Sequence, residues 1–436
     1  MDQNATKLQA GAMSGTGLWR LAWRNLTRNR RRSLITISAI SLGLALMIFS
    51  FNIGQSMYQK MIQQGISTMA GHVVVQGAGF QEERETDVVV SDPEGAKSAL
   101  QSASPDGVVT SRSFVQGLLT SPDNAVGVML TAVEPSLEAQ VSSWDEKIVE
   151  GAWLEDDDGR GILLGARLAE VLDVKVGSKV VLMAQQIHTN EVTSRMFRVR
   201  GLIKTGNAEL DGFGAVIPLA ATMEFMGLES EDAPLPVHQV SLHLSDIDTL
   251  NESLASARTS LTNGEKSGDG VEVLGWSEAL PEVAEFIQMD RGFNNMFFFV
   301  IGIIVTFGLV NTVLMSVLER VREFGVMLAL GLSPARLAKL VMCEGLVLGV
   351  TATLIGVGLG MLVSWPVAVY GIDLTSMAGE QFDMGSVSVG AVLYAEPDWS
   401  RIIGTSILAV VLTVLAAVYP AYRVTRIDPA EAMRHV

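Results

Sequence analysis

The chain has 436 residues, of which 48% are apolar and 18% charged, and its mean hydropathy is +0.34. That composition excludes an ordinary soluble protein, while the length leaves room for a domain of normal size beside several membrane spans. The net charge of −16 is strongly acidic, and we expect no nucleic-acid partner.

The first 32 residues divide into two predicted segments. Residues 1–17 are polar and small, which predicts a disordered terminus. In residues 18–32, Trp19 and Trp23 alternate with arginines, a pattern typical of an amphipathic helix in the membrane interface. A basic flank that only sets the membrane topology accounts for this second segment equally well.

Four apolar runs have the roughly 20 residues that a helix needs to cross a bilayer. They are residues 33–53, 296–317, 340–364 and 402–419. The first run is too long for the apolar core of a signal peptide, and no small-residue cleavage site follows it. We therefore expect four transmembrane helices, of which the first is an uncleaved anchor.

The charges predict which segments lie on which side of the membrane. Residues 54–291 contain 36 acidic and 16 basic residues, a net charge of −20, so the rest of the chain is net positive. Its arginines cluster before the first run, between the second and third, and after the fourth. By the positive-inside rule, residues 318–339, the tail 420–436 and both termini are cytoplasmic.

The two segments on the opposite side are residues 54–295 and the loop 365–401. Short β-like runs in the first segment alternate with turn signals at residues 72–76, 87–90, 127–132, 179–183, 197–203 and 237–244. Helical patterns intervene at residues 93–102 and 246–262, and residues 264–270 resemble an exposed loop. The predicted fold is an α-helical membrane domain of four helices plus a large α+β domain inserted between helices 1 and 2.

No catalytic or metal-binding set emerges from the sequence. His238 and His243 are expected on opposite faces of a strand, and no closing glutamate completes a calcium loop after Asp156. Cys343 has no partner for a disulfide. The chain also lacks a G-x-x-x-x-G-K-[ST] run, so any ATP it uses is bound by another chain. We predict that the chain is not an enzyme.

The link between the second and third runs is amphipathic rather than simply polar. Phe324, Met327 and Leu328 alternate with charged residues, which predicts a helix that stops near Gly331. A new helix begins with Ser333 as N-cap and proline at the next position. Its apolar face either lies on lipid or docks into a groove on a partner protein, and the residues favour neither.

Three motifs resemble the FtsX-like permease family, which includes macrolide-exporting and lipoprotein-releasing ABC transporters. They are Leu309-Val-Asn-Thr-Val-Leu-Met-Ser with Arg322-Glu-Phe-Gly and Ala329-Leu-Gly, then Ala22-Trp-Arg-Asn-Leu, then Tyr419-Pro-Ala-Tyr-Arg with Asp428-Pro-Ala-Glu-Ala-Met-Arg. Residues 165–182 and 199–219 look like lipoprotein-releasing permeases, whereas the second-span motif is closer to the macrolide exporters. The cargo therefore stays open.

The resemblance implies a permease subunit in the bacterial inner membrane that moves its periplasmic domain when a separate ATPase closes. It also implies two ATPase copies that bind ATP and Mg, a second permease copy in a homodimer or heterodimer, and room for a periplasmic carrier or adaptor as a further partner. For this chain itself the resemblance implies contact with membrane lipid and no bound cofactor. The implied ATPase-coupling residues are Arg320, Arg322, Glu323, Phe324, Met327, Leu328 and Gly331. The alternative is a signalling scaffold that regulates a cell-wall hydrolase without transport.

Six further residues in the spans are singled out for packing or polarity. The glycines form two small-x-x-x-small pairs that suit either packing within the chain or a dimer seam, namely Gly345 with Gly349 and Gly356 with Gly360. Asn311 and Glu344 are intramembrane polar residues. Glu344 is close enough to the interface to reach water or to pair with Arg336 or Lys339.

Overall fold

The structure is a computed structural model that describes residues 24, 30–83, 87–186, 191–223, 235, 237–262, 270–373, 383–384, 387–388 and 392–428. The predictions for residues 1–17, most of 18–32, the loop 264–270 except its last residue, much of 365–401 and the end of the tail 420–436 lie outside the described residues.

The helices of the described chain include four that are far longer than the rest. In chain order they are α1 Arg30–Thr68, α2 Phe80–Glu83, α3 Pro93–Ala103, α4 Pro135–Val141, α5 Ala166–Leu172, α6 Ala208–Phe213, α7 Leu250–Thr262, α8 Trp276–Ala279, α9 Pro281–Glu319, α10 Val321–Ala329, α11 Pro334–Tyr370 and α12 Trp399–Val424. Helices α1, α9, α11 and α12 are long and apolar enough to cross a membrane.

The strands lie between α1 and α9 in the sequence, apart from four two-residue strands between α11 and α12. They are β1 Val73–Gly77, β2 Val108–Thr120, β3 Ala125–Val133, β4 Ile148–Gly151, β5 Gly161–Gly165, β6 Lys179–Gln185, β7 Val192–Ile203, β8 Gly214–Pro218, β9 Gln239–His243, β10 Val271–Gly275, β11 Ile372–Asp373, β12 Asp383–Met384, β13 Val387–Ser388 and β14 Val392–Leu393.

The chain divides into two compact units. The helical unit comprises Met1–Met57, Met289–Asp373 and Val392–Val436, and the sheet unit comprises Tyr58–Gln288 and Leu374–Ala391. In the helical unit the four long helices share one buried apolar cluster. Ile40 of α1, Leu309 of α9, Ala352 of α11 and Ala416 of α12 meet there, so the four apolar runs pack against one another.

The two glycine pairs of α11 both pack within the chain. A Cβ added at Gly345 would lie 2.7 Å from the Cβ of Ala417, and one at Gly349 would lie 2.9 Å from the Cβ of Thr413, both on α12. The second pair faces α1 instead, where a Cβ at Gly356 would lie 3.0 Å from the Cβ of Leu44. Small residues therefore let α11 approach both of its neighbours closely.

The Gly356→Val variant is expected to lower the melting temperature of the detergent-solubilised chain, because overpacking typically costs about 1–3 kcal/mol. Besides Leu44, the new side chain would meet the carbonyl oxygen of Ser41 at 3.0 Å. The matched control is Gly358→Val on the same helix, where an added Cβ meets nothing within 4 Å. Equal melting temperatures for the two variants would contradict close packing of α11 against α1.

The sheet unit is built on a ten-stranded sheet whose main path runs β10-β1-β9-β2-β3-β8-β5-β7-β4, with β6 pairing to β2 and β7. The pairs are mostly antiparallel, but β3–β8 and β5–β7 are parallel. A buried cluster covers the sheet, with Leu100 of α3, Leu168 of α5 and Ala257 of α7 packed against strand residues such as Leu130. This is an α+β arrangement.

One predicted strand, residues 87–90, is wrong, since these residues lie outside every strand. The amide of Val90 donates to the carbonyl of Val237 at 2.7 Å. Two residues later Asp92 caps α3 by accepting a hydrogen bond from the amide of Gly95 at 2.9 Å. Because α3 starts immediately afterwards, the extended segment ends before it can pair as a strand.

Candidate functional site

The link between α9 and α11 contains a short helix, α10, with well-defined ends. Arg320 separates α10 from α9. At the other end Gly331 has φ +90° and its amide donates to the carbonyl of Leu328, while the amide of Leu332 donates to that of Met327. These two bonds form a Schellman motif, which favours glycine because a Cβ is strained at positive φ. Helix α11 then begins at Pro334 with Ser333 as its N-cap residue, as predicted, although the Ser333 side chain makes no capping bond.

Arg320 is the centre of an ion cluster at this link. Its Nη1 donates to both carboxylate oxygens of Glu344 at 3.0 and 3.3 Å, and its Nε donates to Glu323 at 3.1 Å. The guanidinium also lies 5.0 Å from the ring centre of Phe324. Burial lowers the pKa of Arg320, but the two carboxylates raise it by more, so its pKa is above the usual value and the side chain stays charged.

This cluster changes the roles assigned to two of the sequence-predicted residues. The structure pairs Glu344 with Arg320, a partner that sequence analysis did not suggest. Arg320 was predicted as an ATPase-coupling residue, and its side chain is only 7% exposed. It connects α11 to the start of α10 and so stabilises the link from within.

The apolar face of α10 is largely covered by this chain itself. Phe324 is 1% exposed and packs with Val317 of α9, Leu337 of α11 and Val424 of α12. Met327 and Leu328 pack partly buried against the same cluster. The apolar residues that the sequence offered to lipid or a partner therefore mainly attach α10 to three of the long helices.

A different row of α10 and its C-terminal turn is exposed. Arg322 and Gly331 are exposed, Val326 is 44% exposed and Leu330 is 81% exposed. Residues 322, 326 and 330 are four apart, so they follow one helix face. Sequence analysis missed Val326 and Leu330, and the signal that could have found them was their spacing from Arg322.

The structure also places two other polar residues that the sequence singled out, Asn311 and His238. Asn311 is exposed on α9. In the sheet unit, Nδ1 of His238 lies 2.7 Å from the hydroxyl of Ser113 and accepts a hydrogen bond from the amide of Phe114. Within the described residues, no group of three or more His, Cys, Asp and Glu side chains could hold a metal ion.

Two family models match the chain. The FtsX-like permease C-terminal model matches residues 295–429, and the MacB-like periplasmic core domain model matches residues 33–260, which is more than half of the chain. The chain belongs to the FtsX-like permease family. It is thus a membrane protein of the ABC transporter permeases, as the resemblance of its motifs implied.

Several relatives match nearly the whole length of this chain. The Lipoprotein-releasing system transmembrane protein LolC of Neisseria meningitidis is 26% identical over 415 residues, covering 92% of this chain and 94% of the relative. LolE of Haemophilus influenzae is 22% identical over 424 residues, covering 95% and 98%. The Macrolide export ATP-binding/permease protein MacB of Nitrobacter winogradskyi is 23% identical over 432 residues, covering 95% of this chain but 59% of the relative.

Proposed function

We propose that this chain is the permease subunit of an ABC transporter that transmits ATP-driven motion from a separate cytoplasmic ATPase to the sheet unit. Its work is the release of a lipoprotein from the bacterial inner membrane or the export of a periplasmic substrate. Two ATPase copies carry the ATP and Mg, and a second permease copy completes the assembly. The arginines flanking the spans support a cytoplasmic link and cytoplasmic termini.

The observation that carries this proposal is an exposed apolar row on a helix that is fixed to the spans. Val326 and Leu330 lie outside the chain's own core, next to the charged Arg322. Phe324 and Arg320 hold the other side of α10 against α9, α11 and α12. A force applied to the exposed row is therefore transmitted to the long helices rather than absorbed by a loose loop.

The exposed apolar row of Val326 and Leu330, here called the docking row, leads to a prediction about how much ATPase is recovered with the chain. When the chain is purified with a co-expressed P-loop ATPase, Leu330→Asp is expected to reduce the recovered ATPase about 30-fold. An apolar anchor in a docked interface contributes about 2 kcal/mol, and a charge in its place is also desolvated. The measurement is the ATPase-to-permease ratio after affinity purification.

The matched control is Val171→Asp, the same kind of change at a residue of the sheet unit that is 52% exposed. It is expected to leave the ATPase ratio unchanged. Undiminished recovery with Leu330→Asp would refute docking on this row. If docking survives but purified complex in lipid vesicles releases no acylated protein and exports no substrate with ATP, the signalling scaffold replaces the transporter.

A further inference from the structure

The sheet unit contains a cavity of about 540 Å³ on the face of β2 and β3 that is turned away from the core. Both strands line it, with Phe114 opposite Thr131, Gln116 opposite Met129 and Gly117 opposite Val128. Leu130, whose side chain alternates with those of Met129 and Thr131, is buried in the core cluster. The volume lies within the range of about 300–1,000 Å³ that is typical of small-molecule sites.

The rest of the lining comes from the ends of two long helices and from α6. Thr68 is the last residue of α1, Leu280 directly precedes α9, and Phe213 ends α6 with 56% of its surface exposed. A Cβ at Gly65 would lie 2.8 Å from Leu280 Cδ1, so the two helix ends are in close contact here. A molecule in this cavity would touch both.

The charged side chains that line the cavity are all negative. Among the described residues that line the cavity, the ionisable side chains are the carboxylates of Glu209 and Glu282, and no lysine, arginine or histidine is present. Five neutral amides supply the other strong polar groups. Arg112, which lies in register with Gln239, is buried and paired with Glu138 at 2.7 Å, so its charge is neutralised locally.

We propose that this cavity binds an apolar organic cation, such as a hydrophobic amine. Phe114, Met129 and Leu280 provide an apolar surface for its body. The two carboxylates and the faces of the aromatic rings attract its positive charge. An apolar anion of the same size is repelled by the same carboxylates. This site does not depend on the proposed coupling to an ATPase.

The test uses a matched pair of probes, tetraphenylphosphonium and tetraphenylborate, which have similar size and opposite charge. The full chain is prepared with its sole cysteine removed by Cys343→Ser and with Met129→Cys as the reporter, in nanodiscs of zwitterionic lipid. The rate of maleimide labelling is then measured against probe concentration. We expect saturable slowing of at least tenfold with the phosphonium and none with the borate.

Three further variants make the outcome specific. Val149→Cys, at a residue that is 59% exposed and outside the cavity, is expected to label at the same rate with either probe. Gly127→Leu, where an added Cβ meets nothing within 4 Å, fills the cavity and removes protection of the reporter. Glu209→Gln with Glu282→Gln raises the half-saturating phosphonium concentration about tenfold.

Two results overturn the proposal. If both ions protect position 129 equally, the cavity does not select a cation. If the phosphonium protects neither this reporter nor a second one, Gln116→Cys, the cavity is not a site for this class of ligand. A folding defect in one reporter is recognised by labelling without probe, because Gln116 is already exposed and Met129 half-buried.

Discussion

Replacing Glu138 with leucine is expected to lower the free energy of unfolding of the sheet unit by about 3–5 kcal/mol. Glu138 and Arg112 are 0% and 1% exposed in their side chains, and they form a two-pronged pair at 2.7 and 3.1 Å. Removal of the carboxylate leaves the guanidinium buried without its counter-charge. Urea unfolding of the full chain in mild detergent, followed by tryptophan fluorescence, measures the loss, and Trp144 lies beside the pair.

Arg112 also makes hydrogen bonds to the end of α1, which Glu138 does not. It donates to the carbonyls of Ser67 and Thr68 at 3.2 and 3.3 Å, the last residues of α1. A cation at a helix C-terminus satisfies carbonyls that have no partner within the helix and interacts favourably with the helix dipole. Arg112 therefore joins the end of α1 to strand β2 inside the sheet unit.

The double variant Arg112→Met with Glu138→Leu is the control for this prediction. Apolar residues of similar volume often replace a buried ion pair with little loss, so the double variant is expected to be more stable than Glu138→Leu alone. It should still fall short of the unaltered chain, because the carbonyls of Ser67 and Thr68 lose their donor. If the double variant is the least stable of the three, the stabilisation comes from packing of the two side chains and not from their charges.

The long helices show what hydropathy can and cannot predict. Each predicted apolar run lies within a long helix, but α1 extends from Arg30 to Thr68 whereas the run covers residues 33–53. At 1.5 Å per residue this helix is about 58 Å long, well beyond the hydrocarbon thickness. Hydropathy detects only the apolar part, because a helix satisfies its own backbone hydrogen bonds and can continue through polar sequence such as Gln63 and Gln64.

The link was predictable in its local structure but not in its surroundings. Gly331 and Ser333-Pro334 marked the helix break because their conformational preferences are local. The burial of Phe324 depends in part on Val424 of α12, which is distant in sequence, and the ion pair of Arg320 depends on Glu344 of α11. An amphipathic pattern tells which side chains share a face, but it does not tell which neighbour covers that face.

Replacing Arg320 with methionine is expected to destabilise the helical unit by about 3 kcal/mol and to abolish ATP-dependent work by the complex. The variant removes the ion pair between Arg320 and Glu344, whose side chain is only 15% exposed, and also the bond to Glu323. Partial access of Glu344 to water places the loss at the lower end of the range for buried pairs. Melting temperature in detergent measures the first effect, and ATP-driven release of an acylated protein from vesicles measures the second.

A more exposed ion pair nearby provides a control that removes an arginine charge without disturbing a buried pair. Arg32 and Glu319 form a bond of 2.9 Å with side chains 28% and 54% exposed, so Arg32→Met is expected to change stability by at most about 1 kcal/mol. The docking row at Val326 and Leu330 is intact in both variants, and the ATPase should still co-purify with each. If Arg320→Met releases cargo at the normal rate while Leu330→Asp does not, motion passes from α10 to the spans without the ion cluster, and the apolar contacts of Phe324 carry it alone.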